Sequence, residues 1–257
     1  AMPFPFSRAS IAVCRLCGNV WPLATAPRRA YSTDLGYLVN LRLEGRVAVV
    51  AGGGKVACRK IPDLLDAGAA VTVVAPEAEE RIRELASQKL IVAHLRPYTR
   101  SDLYGAYLAI AATDDEDVNT QVYKDAQALG ILVNVVDRPA LCSFTVPASV
   151  RRGSLTIAVA TDGECPALSG VLREELECRF GEEYGELVRL MGDLRRQMAA
   201  LGWSGARIRE ATSALYRDGI IEAIAMADRR LLCDFVRARL GPEFNVRPGI
   251  GLRATRA

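Results

Sequence analysis

The chain has 257 residues, half of them hydrophobic and a quarter charged, which suffices for a buried core in one or two domains and is ordinary for a globular protein. Its formal charge of +3 comes from 33 Lys and Arg scattered among 30 Asp and Glu, so no basic block marks a nucleic-acid partner, while a modestly basic pocket for an acidic small molecule stays open. No apolar run reaches the roughly 18 to 20 residues that span a bilayer, so no membrane association is expected.

Residues 1–36 are set apart first. They carry Arg8, Arg15, Arg28 and Arg29 with no acid before Asp34, the bias of a targeting segment or of an extension foreign to the fold. Seven cysteines, an odd number falling mostly in apolar or helical patterns, read as free thiols of a reducing cytoplasm. Cys14 and Cys17 form a lone CxxC; zinc needs about four ligands, and no second pair follows, so no metal centre is expected.

From Leu41 onward, strands and helices alternate. "RVAVVAG" is a continuous apolar run ending in glycine, as in a buried parallel strand. The spacing of Val56, Ile61, Leu64 and Leu65 predicts a helix over 55–67, stopped by Gly68. "AAVTVVAP" is a second strand, followed by a helix over 77–88, the strand "LIVAHLR", a short helix near 99–103, the strand "AYLAIAATD", a helix over 116–129 and the strand "GILVNVVD". This rhythm predicts an α/β fold with a Rossmann-type, doubly wound parallel sheet over 37–137. After it, "SFTVPASVRRGSLTIAVAT" reads as two β-runs around an "RRGS" turn, giving a central α/β region over 138–165. Helical periodicity from Pro166 to Leu240 then defines a helical C-terminal region over 166–257.

Gly52, Gly54 and Ala57 match G-x-G-x-x-A between a strand and a helix. The first glycine permits the turn, the second lets backbone approach a pyrophosphate, and the small third residue lets helix and strand pack. A phosphate-only P-loop is disfavoured, because no Lys-Ser/Thr pair follows a four-residue spacer. At the end of the second strand, in Ala75-Pro76-Glu77, Glu77 is either the acceptor for a ribose 2′-hydroxyl or an exposed first-turn acid. No Arg or Lys stands at that tip, which favours NAD over NADP.

His94 is the one histidine and reads as a structural residue, so acid/base chemistry falls to other groups. Asp137 closes "ILVNVVD" at the carboxyl edge of the sheet, where ligands of open α/β folds bind; from position alone it is a base or a turn acid before Pro139. Thr113, Asp114 and Asp115 end the preceding strand as cofactor-side or capping residues, with Asn119 a further polar candidate.

Taken together, "VAVVAGGGKVACRK", "AYLAIAATDDEDVN", "GILVNVVDRPALCSFTVPASVRRGSLTIAVATDGECPALS" and "LREELE" resemble the siroheme synthase family over about 37–194. The resemblance implies a homodimer built from a Rossmann domain, a central dimerisation region and a helical C-terminal region. It also implies NAD-dependent oxidation of precorrin-2 to sirohydrochlorin and, in bifunctional members, insertion of ferrous iron to give siroheme. By the same resemblance Asp137 is general base and assists metal insertion, Lys55 and Val56 line the cofactor after the glycines, Pro76 and Glu77 line it at the second strand's end, and Thr161 stands at a serine phosphorylated in some members. The substrate's many carboxylates make Arg138, Arg151, Arg152 and Lys60 candidate partners, with solvated surface arginines as the alternative. Departures from the pattern are Ala51, Asp162 and Cys165, the last read as a packing residue. A rival function is an NAD-sensing regulatory module whose helical tail binds a partner.

Overall fold

The computed structural model describes residues 36–247 and, before them, the backbone of 10–13 and 20–23. Contacts divide the chain into residues 1–40 and 41–257. In the first unit β1 (Ser10–Val13) pairs antiparallel with β2 (Val20–Leu23). Cys14, Cys17 and the four early arginines lie outside the described residues.

The second unit begins with the sheet read from the sequence. Its elements are β3 (Val47–Ala51), α1 (Lys55–Asp66), β4 (Ala70–Val74), α2 (Glu80–Ser87), β5 (Val92–His94), a 3-10 turn (Arg100–Leu103), β6 (Leu108–Ala111), α3 (Glu116–Leu129) and β7 (Leu132–Val135). Five parallel strands lie in the order β5-β4-β3-β6-β7, so the winding reverses between β3 and β6. Register aligns Ala51 with Val74 and Ala111, and Ala111 with Val135, which brings four strand ends level at one carboxyl edge. Each face of the sheet buries its own layer: Val50 and Val73 pack with Ile61 and Leu64 of α1 and Ile82 of α2, while Val49, Ala109 and Val133 pack with Val122 and Ala126 of α3. Spacings of three and four residues in α1 and α3 put these side chains on a single helix stripe.

β7 is an edge strand, and the returning chain closes its open side with side chains. Val133 N–H donates to Ser143 Oγ (2.7 Å), Ser143 N–H donates to Val133 O (2.8 Å), and Val135 N–H donates to Cys142 Sγ (3.2 Å). Exposed strand edges otherwise invite pairing with foreign chains.

Beyond the sheet, β8 (Ala148–Arg152) and β9 (Leu155–Val159) form an antiparallel hairpin around the expected turn. α4 (Pro166–Arg179) packs on that hairpin but buries only Ser169, leaving Leu168 and Val171 exposed. The stretch read as uniformly helical then divides into α5 (Glu183–Ala200), α6 (Gly205–Arg217), α7 (Ile220–Ala225) and α8 (Arg229–Leu240). Leu190, Leu194, Met198, Leu215, Ile220, Leu232 and Val236 form its core together with Phe244 from the segment after α8. Gln197 and the Asn245 backbone exchange two hydrogen bonds (2.8 and 3.1 Å), fastening that segment to α5. No helix among the described residues is long and apolar enough to cross a membrane.

Candidate functional site

Two clefts open on the carboxyl edge of the sheet. The first, about 830 Å³, is lined by Gly52, Gly53, Gly54, Lys55 and Val56 after β3, by Ala75 to Glu80 with Arg83 after β4, and by Ala112, Thr113 and Asp114 after β6. All seven residues expected to hold the cofactor, Gly52, Gly54, Lys55, Val56, Pro76, Glu77 and Thr113, are on this wall.

The glycine turn shows why the sequence is built this way. Gly52 has φ +123°, and a Cβ there would sit 2.2 Å from the Ala112 carbonyl oxygen; at Gly53 it would sit 2.1 Å from the Glu77 carbonyl oxygen. These two glycines let β3 leave the sheet between its neighbours. Gly54 differs: a Cβ would meet nothing within 4 Å, so its backbone faces open space at the start of α1. Gly54 provides no side-chain cap and the first turn of α1 holds no acid, so its amides and the positive end of the helix dipole are left for an outside anion. A helix start free of side-chain acceptors, reached by bare backbone, fits a dinucleotide pyrophosphate.

Thr113 is fixed on this wall by Asn119, whose Oδ1 accepts from the Thr113 amide (3.2 Å) and whose Nδ2 donates to the Thr113 carbonyl (2.8 Å). Asp115 caps α3, accepting from the amides of Asp117 (2.9 Å) and Val118 (3.1 Å). Asp114 lines the cleft and Asp115 serves the helix, so the two adjacent acids have different roles. Arg83 is the residue the sequence reading missed. α2 starts at Glu80 and not at 77, because Pro76 to Glu79 first cross the glycine turn, with Glu79 N–H donating to Gly53 O (2.8 Å); the later start carries Arg83 to the cleft.

The second cleft, about 660 Å³, lies where the chain leaves β7. Asn134 to Pro139 and Cys142 form one side, Lys60 and Asp63 of α1 another, and Thr145 to Ser149 with Val159 to Gly163, Pro166 and Ser169 of the central region the third. Asp137 stands on this wall, two residues beyond the end of β7 and not at the strand's end, because the chain turns there: Arg138 N–H donates to Val135 O (3.2 Å) and Asp137 takes φ +59°. Its carboxylate is exposed and makes no hydrogen bond or ion pair among the described residues.

The expected basic residues separate. Lys60 and Arg138 line the second cleft, but Arg138 is ion-paired with Glu116 at the start of α3, and this hydrogen bond and charge hold the Glu116 carboxyl below the usual range. Arg151 is exposed on β8 and does not line the cleft. Arg152 points to α4 instead, its Nε donating to Phe180 O (2.7 Å) and a terminal nitrogen to Glu177 O (3.2 Å), orphan carbonyls at a helix end. His94 is exposed on the short edge strand β5. Cys165 precedes α4, where its amide donates to Thr161 Oγ1 (3.3 Å), and Thr161 shares a hydrogen bond with Ser169 (3.2 Å).

Comparison with known proteins agrees with this geometry. Residues 39–148 match a family model described as "Putative NAD(P)-binding". A siroheme synthase of Ectopseudomonas mendocina is 48% identical over 149 residues, which are 58% of this chain and 32% of that protein; one of Pseudomonas fluorescens is 45% identical over 159 residues, 62% and 34% respectively. The matches thus span about a third of the length of these curated relatives. A solved structure titled "SirC, precorrin-2 dehydrogenase" superposes with TM-score 0.66 at 28% identity, covering 79% of this chain and 98% of its own. The chain is thus similar to siroheme synthases over about three fifths of its own length and to SirC over 79% of it.

Proposed function

We propose that the protein oxidises precorrin-2 to sirohydrochlorin with NAD, and that Asp137 is the base. The observation that carries this reading is the placement of two clefts side by side on one sheet edge, a dinucleotide cradle after β3 and a second groove after β7 with an uncommitted carboxylate on its wall. Bound in the first cleft, NAD supplies the two-electron acceptor. Gly54 and the first turn of α1 bind its phosphates, Glu77 and Pro76 line the end nearest β4, and Thr113, held by Asn119, orients the side facing β6. Removal of hydrogen from the tetrapyrrole releases a proton, and Asp137, whose side chain has no partner among the described residues to displace, accepts it. Lys60 and, once it leaves Glu116, Arg138 pair with substrate carboxylates. Arg151 remains available to the substrate only from outside the cleft, and Arg152 is better accounted for by α4.

The same carboxylate can take pyrrole protons during insertion of ferrous iron as a second substrate, which makes ferrochelatase activity part of this reading. The exposed Leu168 and Val171 of α4, beside a two-stranded hairpin too small to be stable alone, support a homodimer formed through the central region. Free thiols at Cys58, Cys142, Cys165, Cys178 and Cys233 support a cytoplasmic location.

The test is to supply precorrin-2 and NAD to the purified protein and follow NADH absorbance and sirohydrochlorin. Turnover is expected, with Asp137→Ala losing it while still binding NAD. NAD binding without any turnover would instead favour the regulatory module, and a near-normal Asp137→Ala would move the base elsewhere. Adding ferrous iron to sirohydrochlorin separates bifunctional from dehydrogenase-only activity.

A further inference from the structure

Asp137 has nothing of its own to hold it in place. Its side chain has no partner among the described residues, and its backbone sits at φ +59°, a conformation that aspartate tolerates better than most residues but still at a cost. Whatever fixes the carboxylate therefore acts through the turn from Val135 to Arg138.

That turn is built around one sulfur. Cys142 Sγ accepts from Val135 N–H (3.2 Å), lies 3.2 Å from Val135 O and 3.3 Å from Arg138 O, either of which its single proton can reach, and is 3.5 Å from Asn134 Nδ2. Both ends of the turn thus converge on the thiol, with Asp137 at the apex. Burial pushes the Cys142 pKa up, so the group stays a neutral S–H able to donate as well as accept. Leu141 N–H to Arg138 O (2.9 Å) and Cys142 N–H to Pro139 O (3.0 Å) coil the intervening residues so that the sulfur returns beneath the turn.

We infer that Cys142 is a positioning residue for the base: its thiol ties the two ends of the Val135–Arg138 turn and thereby sets where the Asp137 carboxylate stands in the second cleft. The inference rests on the reading of Asp137 as the base. An alanine at 142 removes the acceptor for Val135 N–H and the one donor within reach of Val135 O and Arg138 O, which lets the left-handed Asp137 relax. A displacement of about 1 Å at a reacting group can cost on the order of a hundredfold in rate. Serine keeps a donor and acceptor at nearly the same place, on a shorter bond.

The experiment compares Cys142→Ala and Cys142→Ser with the unaltered protein by steady-state NADH production from precorrin-2 and by amide hydrogen exchange across 133–144. For Cys142→Ala we expect kcat at least tenfold lower, KM for NAD within twofold, and exchange at least tenfold faster in that segment with β3 and α1 unchanged. Cys142→Ser should keep kcat within about threefold. The inference is overturned if Cys142→Ala keeps its kcat, if the serine variant is as slow as alanine, if KM for NAD rises in step, or if exchange does not change. An unaltered protein that binds NAD but yields no NADH overturns the functional reading itself, a result seen before any variant is compared.

Discussion

Adding a single methyl group at each of two neighbouring glycines separates the fold's requirement from the cofactor's. At Gly52 the backbone has φ +123°, which costs a non-glycine residue about 1 to 3 kcal/mol. The new Cβ would also lie 2.2 Å from Ala112 O and 2.6 Å from Ala112 C, so the end of β6 must move, an overpacking cost of about 1 to 3 kcal/mol. Gly52→Ala should therefore lose about 2 to 6 kcal/mol, which for a chain of this size lowers the melting temperature by about 4 to 24 °C. Gly54→Ala has an ordinary φ of −87° and no atom within 4 Å of the added carbon, so its stability cost is the helix-start preference alone, about 1 kcal/mol or less. The open space it enters is where a pyrophosphate would approach, and NAD affinity should fall at least about tenfold, or 1.4 kcal/mol. Thermal denaturation without ligand and NAD titration by calorimetry read the two effects separately. Should Gly54→Ala bind NAD as the unaltered protein does, the phosphates do not lie at the start of α1. Should Gly52→Ala melt normally, the strain argument fails.

Three further outcomes are expected. Arg152→Ala should cost about 1 to 3 kcal/mol through the lost bonds to Phe180 O and Glu177 O, with KM for precorrin-2 unchanged; a large rise in that KM would restore it to the substrate site. Arg83 lines the cradle with no side-chain partner among the described residues, so NADP should also be accepted, and Arg83→Glu should raise KM for NADP at least about tenfold while leaving NAD within twofold. Asp102 is held below the usual carboxylate range chiefly by its hydrogen bond to Arg96, helped by Thr99; its folded pKa lies below the unfolded one, so this stabilisation is complete above about pH 4 and is lost as pH falls through the folded value. Melting temperature against pH should therefore drop on the acid side, and Asp102→Asn should flatten that drop while lowering the neutral-pH melting temperature.

The parts of the fold that were legible in the sequence are those fixed by local chemistry. α3 runs from Glu116 to Leu129 as its pattern predicts, since Asp115 caps one end and Gly130, in the left-handed region, ends the other. The glycine turn and the β8–β9 hairpin were legible for the same reason. What was not legible depends on contacts between distant residues. α2 begins three residues late because Glu79 first bonds Gly53, and Arg83, in its first turn, lines the cleft. Arg152 looked like a substrate ligand beside Arg151, yet its carbonyl partners are 25 and 28 residues away in sequence. Asp137 was read as the last residue of a strand; the turn that actually carries it is set by a sulfur five residues on, which no periodicity reveals.

The side-chain seam along β7 also limits how this chain can vary in length. Surface loops usually tolerate insertion, because a longer loop adds little closure entropy. Residues 136–141 look like such a loop, but Cys142 must meet Val135 and Ser143 must meet Val133. Successive residues on the returning segment serve successive outward-facing positions of the strand, so one added residue moves the sulfur out of the turn and puts the wrong side chain opposite each unpaired amide. An apparent loop is thus as intolerant of insertion and deletion as a sheet strand, and variation in length should be confined to other connections, such as the turn at Gly105, where an added Cβ would meet nothing within 4 Å.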